Sequence, residues 1–332
     1  MATKPATKPK AARKTPHKVQ PGALPGVTHA EVKKAEELSK KLPAGKGPPK
    51  VVESVGLMQA ACQALRARGV TVGYVPTMGA LHEGHLKLME EARALADVVV
   101  VSIFVNPTQF GPAEDFESYP RDRQGDLMKC QSVGVDLVFM PNAAEMYPEG
   151  FQTSVLPGAV STGACGRYRP GHFAGVDTVV LKLLNIVGPH VAVFGEKDWQ
   201  QLAAVRRMAR DFHLPVEVVG MPTAREADGL ALSSRNRRLT PRDREQAPVL
   251  YRAIERARAL YKTGVDDVGA LCRAVMEEIK TARGVKLQYV EIVDAESIQP
   301  LRSVDRPARV LLAAHLGNVR LIDNGPIGPA PL

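Results

Sequence analysis

The segment from Pro76 to His85, PTMGALHEGH, constrains this chain more tightly than any other. It follows a run of strand-forming residues (Thr71, Val72, Tyr74, Val75). It leads into a pattern whose apolar positions are Leu86, Leu88, Met89, Ala92 and Leu95. A strand, a glycine-punctuated turn and a helix, in that order, aim backbone N–H groups at a phosphate. His82 and His85 stand three residues apart, and Gly84 between them leaves room for a nucleotide to approach the backbone. Zinc-protease helices space their histidines four apart with a glutamate after the first, which disfavours metal; hydrogen bonds to phosphoryl oxygens are the preferred reading, with local satisfaction of backbone groups by both histidines as the alternative. The expectation is nucleotide chemistry at the end of a parallel strand.

The rest of the chain supplies that strand with neighbours. Strands are predicted at 71–75, 97–105, 135–140, 191–194 and 215–220, with helices at 53–68, 84–96, 122–133, 175–187 and 198–212 between them. Continuous apolar strands alternating with helices imply a parallel sheet covered on both faces, an α/β domain over 51–223. Ligands of such sheets collect at the carboxyl ends of the strands. The polar segments PTMG, NPTQF and GEKD fall there. Beyond residue 223 the rhythm changes. Thr240-Pro241 reads as an N-cap with proline at the first helical position, opening a helix to about Lys262. A second helix near 265–283 and strands at 286–293, 308–314 and 318–322 complete a smaller α+β domain over 224–332, with 224–239 as its hinge.

With 332 residues, 45% of them hydrophobic, the chain can bury a sizeable core. No apolar run approaches the roughly 20 residues that span a bilayer. The four cysteines (Cys62, Cys130, Cys165, Cys272) show no C-x-x-C pair, which favours reduced thiols in a cytoplasmic protein over disulfides or a zinc site. Residues 1–50 carry 12 Lys+Arg against 3 Asp+Glu, a balance equal to the +9 of the entire chain, so the remainder is neutral. This Ala-, Lys- and Pro-rich stretch is expected to be a disordered basic extension, with a transient helix from Thr28 to Leu42. It is read as a solvated extension rather than a nucleic-acid arm, and its Lys and Pro content fits a mitochondrial presequence poorly.

Four further segments carry side chains suited to phosphate or substrate. In GEKDWQQ, Lys197 can meet a phosphate as a point charge and Asp198 can cap a helix or hold a ribose hydroxyl. LSSRN offers Ser233, Ser234 and the forked guanidinium of Arg235 on a loop able to close over a triphosphate. NPTQF supplies the amides of Asn106 and Gln109 for a small polar substrate. Asp126, near Glu114, Asp115 and Asp122, is the candidate ligand for Mg²⁺, although solvated acids on a helix face are commoner.

Together PTMGALHEGH, SIFVNPTQF, EDFESYPR (Glu114 to Arg121), RPGHFAGV (Arg169 to Val176), VFGEKDWQQL and READGLALSSRN resemble the pantothenate synthetase (pantoate–β-alanine ligase) family, within the HxGH nucleotidyltransferases. The resemblance runs in order from about residue 51 to the LIDN of Leu321 to Asn324 and leaves out the basic extension. It implies a Rossmann-like domain with a smaller C-terminal lid, a homodimer, and a reaction with ATP, pantoate and β-alanine. Pantoyl adenylate and pyrophosphate form first, and the β-alanine amine then displaces AMP. It also implies roles. Met78, Gly79, Ala80, Leu81, His82, Glu83, Gly84 and His85 would form one side of the ATP site, with His85 as proton donor. Gly195, Glu196, Lys197 and Asp198, with Leu232, Ser233, Ser234 and Arg235, would form the other, and the backbone of Ala224 would touch adenine. His82, His85, Lys197 and Arg235 would support catalysis with Mg²⁺. Gln109 and Gln201 would hold pantoate near Asn106, and Arg169 and His172 would edge the second-substrate side. Thr108, Trp199 and Leu232 depart from the family's usual methionine, tyrosine or phenylalanine, and methionine. A nucleotidyltransferase that releases its nucleotidylated product, and a nucleic-acid-binding protein acting through the extension, are the competing readings.

Overall fold

A computed structural model describes residues 26–42, 47–112 and 114–329. The elements are, in order, α1 (His29–Lys40), β1 (Lys50–Val52), α2 (Val55–Ala67), β2 (Val72–Thr77), α3 (Glu83–Leu95), β3 (Val98–Ile103), α4 (Arg123–Ser132), β4 (Leu137–Phe139), α5 (Ala143–Met146), α6 (Ala164–Tyr168), α7 (His172–Val187), β5 (Val191–Gly195), α8 (Trp199–Asp211) and β6 (Glu217–Met221). They are followed by α9 (Pro241–Gln246), α10 (Val249–Lys262), α11 (Val268–Lys280), β7 (Val285–Asp294), β8 (Ala308–Leu316) and β9 (Val319–Ile327).

Six strands form a parallel sheet in the order β1-β4-β3-β2-β5-β6. The first five residues of β3, Val98 to Ser102, are all buried, as a strand covered on both faces requires. From β2 the chain builds outward through β3 and β4, then returns to add β5 and β6 on the opposite side of β2. That reversal leaves a crevice beyond the carboxyl ends of β2 and β5, where open α/β sheets take their ligands. The C-terminal strands form a separate antiparallel sheet, β7-β8-β9, packed on α10 and α11 around its own core. A smaller apolar cluster, including Phe173, Ala203, Tyr289 and Leu311, joins the two parts.

Three expectations need correction. Residues 28–42 lie within the stretch expected to be disordered, yet they form a docked helix. Thr28 and Glu31 make a reciprocal capping box, Glu31 also accepts from the Ser54 hydroxyl, and Ala35 and Leu42 are buried in the main core beside α2. Residues 1–25, expected to be disordered, lie outside the described residues. The helix predicted from Thr240 to Lys262 is two helices, because Pro248 lacks the N–H that a continuous helix would need there. The edge strand β1 was not expected; its three residues acquire strand geometry only by pairing with β4. Among the described residues all four cysteines are free, and no helix is long and apolar enough to cross a membrane.

Candidate active site

The site's floor is the turn from β2 into α3. Gly79 (φ +82°) and Ala80 (φ +51°) both adopt the left-handed conformation, which costs a non-glycine residue on the order of 1–2 kcal/mol. The carboxylate of Asp126, on α4, holds that shape. It accepts from the Ala80 N–H at 2.9 Å and the Leu81 N–H at 2.8 Å and is only 1% exposed. This corrects the expected Mg²⁺ role, because each Asp126 oxygen already receives a backbone amide. Among the described residues no cluster of three or more His, Cys, Asp or Glu side chains is arranged to hold a metal. The residues present therefore do not fit a resident magnesium site centred on Asp126.

At the head of α3, two histidines cap the helix. His82 is the N-cap, and its Nδ1 accepts from the Gly84 N–H at 3.2 Å; the Nδ1 of His85 accepts from the His82 N–H at 3.3 Å. A ring nitrogen that accepts carries no proton, so in each neutral ring the hydrogen sits on Nε2. The rings lie 4.1 Å apart, centroid to centroid. Burial is the main cause of their depressed basicity, lowering His82 to about 4 and His85 to about 3. Lys197 and Arg237 add repulsion at His82, and His82 does so at His85. Both are neutral Nε2–H donors at pH 7. Gly84 packs closely under the His82 ring, since a Cβ there would lie 3.0 Å from it and press the ring aside.

Facing the histidines is the short turn Glu196–Asp198 between β5 and α8, which carries Lys197, its Nζ 3.8 Å from Asp198. His82, His85, Lys197 and Arg235 all line one cleft of about 250 Å³. So do Met78, Gly84, Gly195, Asp198, Ala224 and the Leu232–Ser234 segment. Gln109, Gln201 and Asn106 complete its inner end. Other expected contributors are turned elsewhere. Gly79, Ala80, Leu81 and Glu83 shape the turn without lining the cleft; Ala80 and Leu81 are buried, and Glu196 is bonded to Arg309. Asn106 is buried with its amide fully used. Its Nδ2 donates to Gln109 Oε1 and Gly175 O, and its Oδ1 accepts from the hydroxyls of Thr108 and Tyr147. It therefore orients Gln109 rather than offering a free group to substrate.

The rim is made of paired charges. Arg235 donates through Nε and Nη2 to Asp115 at 3.2 and 3.0 Å, and Arg238 joins the same carboxylate at 2.5 Å. One residue earlier, Glu114 receives Arg169 at 2.6 and 2.5 Å. Burial would raise both carboxyl groups, but the guanidinium bonds outweigh it and hold them below the usual range. Arg169 also contacts His172 Nε2 at 2.8 Å, while His172 Nδ1 lies 2.9 Å from the Gln109 carbonyl. That carbonyl can only accept, so His172 carries its proton on Nδ1, the opposite tautomer to His82 and His85. Burial and Arg169 lower His172 to about 4. The acidic pair was visible in the sequence as solvated charge, and its partners were not. A second cavity of about 390 Å³ continues from this rim toward β8 and β9.

Fold and site define a doubly wound α/β protein with a histidine-capped helix N-terminus at its switch point. The family model for Pantoate-beta-alanine ligase matches residues 50–326. The pantothenate synthetase of Myxococcus xanthus (strain DK1622) is 52% identical over 283 residues, covering 84% of this chain and 97% of the relative. A solved pantothenate synthetase from Thermus thermophilus is 48% identical, with a TM-score of 0.79, over 84% of this chain and all of that one. A Francisella tularensis ligase, solved as a complex with Beta-gamma ATP and Beta-alanine, is 36% identical with a TM-score of 0.70, over 83% and 97%. The chain belongs to the pantoate–β-alanine ligase family.

Proposed function

We propose that this enzyme joins pantoate to β-alanine in two steps at the cleft described above. In the first, a pantoate carboxylate oxygen attacks the α-phosphorus of ATP, forming the pantoyl adenylate as the bond to pyrophosphate breaks. In the second, the β-alanine nitrogen attacks the acyl carbon, loses a proton and expels AMP, leaving the amide of pantothenate. A carboxylate is a poor electrophile until its oxygen becomes part of a good leaving group, which the adenylate provides.

The single observation that carries this reading is the pair of locked, neutral Nε2–H donors at the head of α3, opposite Lys197 in one cleft with Gln109 and Gln201. Donors fixed before the reaction stabilise charge that builds on phosphoryl oxygens without reorganising. In this reading His82 and His85 give hydrogen bonds to the phosphate chain rather than protons. Lys197 and Arg235 supply the positive charge, the fork of Arg235 exchanging Asp115 for phosphate oxygens. Gln109, oriented by Asn106, and Gln201 take the pantoate end. Arg169 and His172 edge the side from which the amine arrives. The lid formed by 224–332 keeps water from the labile adenylate.

The test is one incubation with ATP, pantoate and β-alanine. A ligase releases AMP and pyrophosphate together with an amide, in β-alanine-dependent amounts. A nucleotidyltransferase that stops at its nucleotidylated product would release pyrophosphate with no dependence of AMP on β-alanine.

A further inference from the structure

We infer that Asn324, on β9 of the C-terminal sheet, is a positioning residue for Lys197. The inference rests on the reading of Lys197 as a cation for the phosphate chain. The turn that carries Lys197 has no side-chain cap, and neither has the helix α8 that follows. Its restraint comes from the far end of the sequence. The Asn324 Nδ2 donates to the carbonyl oxygens of Glu196 at 2.9 Å and Lys197 at 2.8 Å, using both amide hydrogens. Its Oδ1 accepts from Arg309 Nε at 2.8 Å. Carbonyls can only accept and a guanidinium can only donate, so the partners fix which amide atom is which. Asn324 is 3% exposed.

A second contact anchors the same turn. Arg309 donates to the Glu196 carboxylate at 2.7 Å, and its guanidinium carbon lies 3.5 Å from the centre of the Trp199 ring. The Trp199 Nε1–H reaches the Ala295 carbonyl at 2.9 Å. Fixing the carbonyls of residues 196 and 197 fixes the backbone on which the Lys197 side chain swings. Released from them, a flexible lysine is free to collapse onto Asp198, already 3.8 Å away.

The experiment is a double-mutant cycle on the first half-reaction, measured as pyrophosphate release from ATP and pantoate without β-alanine. Asn324→Asp keeps an oxygen for Arg309 and the side-chain shape but loses both donors. In that single turnover it is expected to lower the apparent second-order rate constant for ATP by about tenfold, while the pantoate concentration giving half-maximal rate moves by less than about twofold. In a Lys197→Ala background the same change should cost less than about twofold, because its effect runs through the missing ammonium. Asn324→Ser, which keeps one donor, should fall between, and it provides the measurement if Asn324→Asp does not fold. Equal losses in both backgrounds, or full activity of both variants, would overturn the inference. If Lys197→Ala alone leaves pyrophosphate release unchanged, the assignment of Lys197 fails on its own, before Asn324 is touched.

Discussion

The floor and the rim of the cleft are built on opposite principles. On the floor, two neutral imidazoles use one nitrogen to cap α3 and keep the other as a donor, with no protein partner on it among the described residues. On the rim, Arg235 and Arg169 are engaged by the adjacent carboxylates of Asp115 and Glu114. The floor is ready for its ligand; the rim must exchange one anion for another. Arg238 shares Asp115 with Arg235, so in the proposed exchange the carboxylate would keep a cation. A buried neutral donor avoids the desolvation cost that a charge would incur on the floor, while the partly exposed rim can tolerate full charges.

The largest effect should come from the floor. Removing one preorganised donor typically costs 10²–10³ in rate, so His85→Ala is expected to slow pyrophosphate release by about 10²-fold or more. Pre-steady-state quench measures it, and an unchanged burst would remove His85 from the phosphoryl transfer. Next comes the support beneath it. Asp126→Ala leaves two buried amides without an acceptor, at about 1–3 kcal/mol each, and releases the strained Ala80 turn. A fall in melting temperature is expected, with no change in the Mg²⁺ concentration needed for half-maximal turnover. A shift in that requirement without loss of stability would restore the metal assignment.

The rim should respond less and with the opposite sign. Asp115→Asn weakens the competitor for Arg235, so the KM for ATP should fall by about two- to fivefold, the range of a partly exposed ion pair. A raised KM would mean that the pair belongs to the productive geometry. A separate signature lies in pH. His82 and His85, at about 4 and about 3 when folded, are set against roughly 6.5 when unfolded. Below about pH 6.5 the unfolded chain takes up protons that the folded protein refuses, so stability held at neutral pH is lost as pH falls toward the folded values. Urea midpoints between pH 7.5 and pH 5 should drop more steeply for the native protein than for a His82→Gln/His85→Gln variant.

The floor was legible in the sequence because it is local. PTMGALHEGH contains its own turn, cap and helix, and the apolar spacing from Leu86 to Leu95 announced the helix. The central strands were equally plain, since Val98 to Val101 are buried on both faces. The rim and the supports were hidden because their partners are remote: Asp115 meets Arg235 across 120 residues, and Asn324 meets Lys197 across 127. Asp126 misled for the same reason: the sequence offered it as a candidate Mg²⁺ ligand, and the turn it supports lies 46 residues earlier. Helix α1 was underestimated because composition describes the whole extension. Its order depends on one capping box and on Ala35 and Leu42 meeting α2.

Replacing His85 with glutamine tests the floor most directly, because its side-chain N–H₂ sits near the imidazole Nε2–H but cannot act as an acid. If neutral hydrogen-bond donation is what the floor supplies, His85→Gln should release pyrophosphate at least about tenfold faster than His85→Ala in the first turnover. If glutamine proves as slow as alanine while ATP still binds, the imidazole must transfer a proton, and the account of a neutral, preorganised floor is wrong.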